Sequence, residues 1–172
     1  MITVKQNNFY LDGKNITYAF FVNHAGVVEH AYFGKKIPHD DLSYMHTCCC
    51  GGFDSYIPGN ESGGYNSYGM FMPEFAFGLT GDYREPAFEF VNEKGDRTTE
   101  MLYVSYEVTE NRGLAGMPSM RGGETLILHL EDKINKLGVD LYYTVFDDCD
   151  VIARNAVYKN LSDSEIRLNR AY

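Results

Sequence analysis

Between residues 124 and 146 the apolar side chains keep a period of two. Leu126, Leu128 and Leu130 alternate with Ile127, His129 and Glu131. After Leu137-Gly138, the residues Val139, Leu141, Tyr143 and Val145 alternate in the same way. That period places every second side chain on one face of an extended chain, whereas a helix buries one face only with a period near 3.6. The same pattern recurs elsewhere. Val4, Phe9 and Leu11 stand among polar residues, Asp12-Gly13 follows, and Ile16, Tyr18, Phe20 and Val22 then alternate. Two such runs joined at Asp-Gly predict a hairpin, because both residues tolerate positive φ. Residues 27–33 form a further run closed by Gly34. Residues 87–91 lead through Glu93-Lys94-Gly95-Asp96 to a run at 100–108. Two more runs, 151–158 and 166–172, flank a turn at 161–165. About nine short strands at this spacing predict an all-β, antiparallel sandwich. Residues 132–137 are the one helical candidate.

Two stretches break the pattern. Residues 48–81 hold about half of the 17 glycines and few aliphatic residues, and residues 110–123 hold Pro118 and four more glycines. A loop as long as the first is uncommon in a compact domain and is usually functional or disordered. Its interleaved aromatics argue against disorder, since disordered segments are poor in them.

Composition excludes several functions. Lys and Arg number 15 against 24 Asp and Glu, a net charge of −9. That balance disfavours nucleic acid and anionic membrane as partners, because phosphates attract Lys/Arg surfaces. The chain shows no basic, apolar leader and no run of about 20 apolar residues, so the expected compartment is the cytoplasm. Cys48, Cys49 and Cys50 are consecutive and Cys149 is remote, which is not the spaced pattern of a disulfide framework. With His46 they also make a poor metal set, because adjacent side chains on an extended chain point to opposite faces. No metal or other cofactor is expected. The carboxylate clusters Asp40-Asp41, Glu131-Asp132 and Asp147-Asp148-Asp150 could serve acid/base chemistry, but such clusters more often cap turns. Gly122-Gly123 after Arg121 lacks the strand–loop–helix setting and Lys-Ser/Thr of a phosphate loop. The 14 tyrosines and 11 phenylalanines, with no tryptophan, suit strands better than a sugar-stacking platform.

Four stretches, in order along the chain, resemble the N-terminal region of glycoside hydrolase family 36, the bacterial α-galactosidases. Tyr32-Phe33-Gly34-Lys35 is similar to the family's "LYWGK". Glu74-Phe75 with Thr80-Gly81-Asp82-Tyr83-Arg84-Glu85-Pro86-Ala87 is similar to "QEYP…TGD(F/Y)R.PA". Residues 102–106, with Gly116-Met117-Pro118-Ser119 and the Glu124-Thr125-Leu126 run, are similar to "LRYVSH…GLPA…ETL". Tyr143-Thr144-Val145-Phe146 with Asp150-Val151-Ile152-Ala153-Arg154 is similar to "YTVFE..DVI.RS".

The resemblance implies a β-supersandwich of the galactose-mutarotase type, present over residues 1–172 only in part. The run ending at Arg170-Ala171-Tyr172 fits a sandwich that continues. In the family a (β/α)8 barrel follows and carries both catalytic aspartates, which act by retention with carboxyls about 5–5.5 Å apart. No catalytic residue is therefore expected within this chain. The resemblance also implies an α-galactoside oligosaccharide substrate and a homo-oligomer, a tetramer in many members. A loop of this domain then reaches a neighbour's active site, and by register it corresponds to residues 48–75. The implied substrate-binding positions are Cys50, Phe53, Asp54 and Gly64. Members often carry an acidic residue and an arginine where this chain has Cys50 and Gly64. The lost charge and added room make α-N-acetylgalactosaminidase the alternative specificity, with a free-standing carbohydrate-binding or scaffold module as the alternative of another class.

Overall fold

Three antiparallel sheets account for the regular structure. The structure, a computed structural model, describes residues 1–45, 72–78, 84–114 and 116–172. The first sheet is a meander of β1 (Ile2–Lys5), β2 (Asn8–Asp12), β3 (Ile16–Val22) and β4 (Val28–Lys35), in that order. The second is a meander of β6 (Leu102–Glu110), β7 (Glu124–Asp132), β8 (Leu137–Phe146) and β9 (Val151–Asn160). A two-stranded ribbon pairs β5 (Phe88–Asn92) with β10 (Ile166–Ala171), the element farthest along the chain. Beyond these the described residues contain one 3-10 turn, Ser43–Met45, and no α-helix.

The period of two does what the sequence predicts. Leu126, Leu128, Leu130, Val139, Leu141, Tyr143 and Val145 are all buried and share one core with Phe9, Leu11, Phe20 and Val28 of the first sheet. Phe9 stacks on Phe20 with centroids 5.3 Å apart, and Phe20 meets Tyr143 of the second sheet at 5.1 Å. Burying each such side chain contributes about 1.5–3 kcal/mol, so this interface holds the two meanders face to face. The ribbon joins the same core through Phe88 and Phe90, with Phe88 stacked on Phe75 at 5.5 Å. On its other face the first sheet buries Tyr10, Ala19 and Phe21 under Leu42.

Three local expectations change. The run at residues 2–11 is two strands, divided where Gln6 takes φ 54°. The Asp12-Gly13 hairpin between β2 and β3 forms, but neither residue has positive φ. Glycine is needed there for space, since a Cβ would lie 2.9 Å from the Cys149 carbonyl oxygen. The turn docks on the corner between β8 and β9. Lys14 donates its amide to the Cys149 carbonyl at 3.1 Å, and Asn15 donates its amide and side chain to the Asp150 carboxylate at 2.6 and 2.9 Å. Residues 132–137 are no helix. They form the β7–β8 turn, in which Asp132 accepts the amides of Ile134 and Asn135, each at 2.9 Å, and Lys136 takes φ 52°. Asp competes with helix formation by binding backbone amides just ahead of it, and here that competition wins.

Candidate functional site

Residues 72–78 cross the end of the sandwich as a strap. The strap lies along the free edge of β4, where the His30 amide donates to the Met72 carbonyl at 2.7 Å and the Glu74 amide donates to Val28 at 2.8 Å. Farther along, the carbonyls of Ala76 and Gly78 accept amides from Ala87 and Thr99. Phe75 and Phe77 point into the core. Glu74, at a bend in the strap, has a side chain only 2% exposed.

Four elements converge on that carboxylate. Tyr18 of β3 donates its hydroxyl at 2.7 Å to either oxygen, and Tyr143 of β8 donates to Oε1 at 2.9 Å. The Arg154 guanidinium of β9 stands 3.5 Å from Oε1 and donates a second nitrogen to the Glu74 carbonyl at 2.7 Å. His30 Nδ1 of β4 lies 3.5 Å from Oε2. Arg154 also sits over the Tyr143 ring, 5.4 Å from its centroid. Burial first, then the neighbouring Glu74 charge, pushes the Tyr18 and Tyr143 hydroxyls well above their ordinary range, so both remain donors. Burial works against the Arg154 charge, but Tyr143 and Glu74 outweigh it and the guanidinium stays cationic. An enclosed carboxylate needs partners of this kind. With its oxygens engaged from both sheets, Glu74 acts as a structural acceptor and not as a free acid or base.

One hollow adjoins the hub, and another lies on the far face of the second sheet. A cleft of about 420 Å³ opens beside the hub between Ile16, Tyr18, Phe33, Asp150, Ile152 and Arg154, with Phe33 62% exposed at its rim. A trough of about 740 Å³ runs along the outer face of the second sheet, floored by Thr125, Ile127, Tyr142, Thr144 and Phe146 and walled by residues 111–114 and 118–120.

The four positions inferred from the sequence, Cys50, Phe53, Asp54 and Gly64, lie outside the described residues. The carboxylate clusters are dispersed on separate turns. Asp41 caps Ser43, Asp132 closes the β7–β8 turn, and Asp150 holds the β2–β3 turn. No group of three His, Cys, Asp or Glu able to hold a metal occurs among the described residues. The Cys149 thiol is pushed up by desolvation and by Asp148, away from the reactive thiolate form. Sequence reasoning missed the convergence on Glu74. Its signal was present, since Glu74, Tyr143 and Arg154 each fall in one of the motif stretches, though spacing alone does not show that they meet.

Comparison with known proteins agrees with the motifs. The family profile "Glycosyl hydrolase family 36 N-terminal domain" matches residues 26–172. A probable alpha-galactosidase C from Aspergillus flavus is 34% identical over 164 residues, covering 92% of this chain and 20% of that protein. Among solved structures, the galactosidase domain of the alpha-galactosidase–sucrose kinase AgaSK superposes with a TM-score of 0.91 at 28% identity, over 99% of this chain and 25% of that one. A variant of the alpha-galactosidase AgaA from Geobacillus stearothermophilus, in complex with stachyose, superposes with a TM-score of 0.85 at 25% identity, over 95% of this chain and 23% of that one. The chain thus spans about a fifth to a quarter of the length of these relatives. Its strand order, its core and its motif residues agree with one conclusion: the chain belongs to the glycosyl hydrolase family 36 N-terminal domains.

Proposed function

We propose that this chain is the N-terminal domain of a cytoplasmic, homo-oligomeric α-galactosidase that hydrolyses terminal α-galactosides of oligosaccharides with retention, and that the domain shapes the substrate pocket and supports subunit assembly. The observation that carries the reading is the superposition over 99% of the chain on a galactosidase domain of which it forms a quarter. The catalytic carboxylates then belong to the part of the enzyme outside residues 1–172. Glu74, the enclosed carboxylate of this domain, is bound from four sides and suits architecture instead of proton transfer. By resemblance, residues 48–75 are the segment assigned to the pocket, with Cys50, Phe53, Asp54 and Gly64 as its substrate-binding positions.

The test compares the full-length enzyme with residues 1–172 alone on p-nitrophenyl α-galactoside and on its 2-acetamido counterpart. Turnover by the full-length enzyme and none by the domain is the expected result. Measurable hydrolysis by the purified domain would refute the division of labour. Activity on the acetamido substrate exceeding that on the galactoside would favour the alternative specificity, for which the uncharged Cys50 and Gly64 speak.

A further inference from the structure

The outer face of the second sheet carries polar side chains that the fold itself does not use. Glu107 pairs with Ile127, Ile127 with Tyr142, and Tyr142 with Asn155, so one row crosses all four strands on the face turned away from the core. The next row is Thr109, Thr125, Thr144 and Ala153. Thr125 and Thr144 bond each other at 2.9 Å. Glu107, Tyr142 and Asn155 make no side-chain hydrogen bond or ion pair among the described residues. Neighbouring strands lie about 4.8 Å apart, so these three positions spread over about 14 Å.

All three line the trough of about 740 Å³, and small-molecule sites span about 300–1,000 Å³. Its floor is deep, since Thr125, Ile127 and Phe146 are at most 5% exposed although they face away from the core. Its wall is built in. Asn111 donates its side-chain amide to the Met120 and Gly122 carbonyls at 2.9 and 2.8 Å and accepts the Gly113 amide at 2.8 Å, which ties the two arms of the loop together. Two carboxylates, Glu107 and Glu110, stand against one cation, Arg112, a balance that repels an anionic ligand. A peptide strand would leave backbone amides and carbonyls unpaired over Ile127 and Phe146, and it finds its hydrogen bonds at a sheet edge, not on a sheet face. A neutral sugar chain meets both demands. Its hydroxyls donate to Glu107 and exchange hydrogen bonds with the Tyr142 hydroxyl and the Asn155 amide, while the C–H faces of its rings lie on Ile127, Ala153 and Val157.

We propose that this trough is a binding site for a neutral oligosaccharide, with Glu107, Tyr142 and Asn155 as the groups that read its hydroxyls. The proposal goes beyond the α-galactosidase reading and does not depend on it. It also needs no aromatic platform, because recognition runs through hydroxyls along one row of the sheet and Tyr142 supplies the one partly exposed ring of that row.

The probe is maltotriose, a neutral trisaccharide with no α-galactoside bond, so an α-galactosidase leaves it intact. In this chain, a titration followed by amide NMR should give saturable shifts at residues 107, 127, 142 and 155 with a Kd of about 1–10 mM. Glu107→Ala and Asn155→Ala should each raise that Kd about fivefold or more, and Tyr142→Phe, which keeps the ring, about twofold. Phe33→Ala, in the cleft on the other side of the sheet, should leave it unchanged. In the full-length enzyme, maltotriose should slow hydrogen exchange about twofold or more in peptides spanning residues 151–157, and this slowing should vanish in Asn155→Ala. The absence of saturable shifts, or an unaltered Kd in both alanine variants, overturns the proposal. Full-length exchange that maltotriose does not change also overturns it, because the rest of the enzyme then covers the trough. Turnover of p-nitrophenyl α-galactoside is read separately. Maltotriose binding without turnover fails the proposed function and not the trough, and turnover without maltotriose binding fails the trough alone.

Discussion

Replacing Asp132 by alanine tests how much of the second sheet depends on one turn. The Asp132 side chain is nearly inaccessible, the residue being 1% exposed. Its Oδ1 accepts the Ile134 and Asn135 amides, each at 2.9 Å. Its Oδ2 accepts the Glu100 amide at 3.1 Å and the Asn135 side chain at 2.7 Å. Alanine leaves all four donors without this acceptor. Loss of a capping carboxylate costs about 0.5–2 kcal/mol, and each hydrogen bond to a charged group contributes about 1.5–3 kcal/mol. All four bonds are part-buried, so the donors regain some water and the loss falls well short of four separate full values. A net destabilisation of about 3 kcal/mol follows. With an m-value near 2 kcal/mol/M in urea, the midpoint should fall by about 1.5 M without a change in slope. The assay is urea unfolding of residues 1–172 followed by far-ultraviolet circular dichroism, in parallel with Asp132→Asn. The asparagine keeps one acceptor and presents an amide to two donors, so it should recover less than half of the loss. A destabilisation below about 1 kcal/mol for the alanine variant would refute the argument, since it would mean that the turn holds its shape without the carboxylate.

Other consequences concern single positions. Gly123→Ala should destabilise by about 1–3 kcal/mol, because φ is 86° and a Cβ would meet the Val145 carbonyl oxygen at 2.5 Å. Gly95→Ala, with φ 88° and open space around it, should lose only about 1–2 kcal/mol from the left-handed backbone, and thermal melts of the pair separate strain from collision. Tyr158→Phe should leave the midpoint unchanged or raise it by a few degrees, because the buried Tyr158 hydroxyl has no partner among the described residues and removing an unpaired polar group is neutral or favourable. For Asp140, burial raises the carboxyl, and hydrogen bonds and charge from Lys159 and His129 outweigh it, leaving it below the ordinary carboxylate range. A depressed folded value means that this stabilisation is complete above about pH 4, the unfolded value. It is lost as pH falls through the folded value. Lys159→Met should therefore shrink the acid-dependent loss of stability in a pH series of melts, and an unchanged acid limb would count against the pairing.

The strands were legible because their signal is local. Leu126 through Val145 alternate in sequence as they do in space, and turns at Gly95 and Asp147-Asp148 fall where the composition puts them. One turn was misjudged because chemistry overrode propensity, and another formed as expected but for a different reason. At Asp132 a side chain captured the amides that a helix would have used. At Gly13 the constraint was a carbonyl from residue 149, a contact with no trace in the neighbouring sequence. The Glu74 hub was half legible. Glu74, Tyr143 and Arg154 lie in recognisable motifs and Tyr18 does not, and the four are gathered only by the facing of the two sheets. The positions assigned to the sugar rest on family resemblance alone, because residues 46–71 lie outside the described residues.

The ribbon has a consequence for synthesis. Each meander pairs strands that follow one another, so each can zip as soon as its own residues have emerged. Strand β5 cannot, because its partner β10 is made roughly 70 residues later. At about 5–20 residues per second that interval is about 4–14 s, during which Phe88 and Phe90 have no ribbon to complete their burial. The Phe75 stack on Phe88 and the joining of Ala87 to Ala76 give the nascent edge a temporary cover from the strap, which is already made. On a ribosome, the strap would therefore act as a chaperone built into the chain, guarding β5 until β10 arrives.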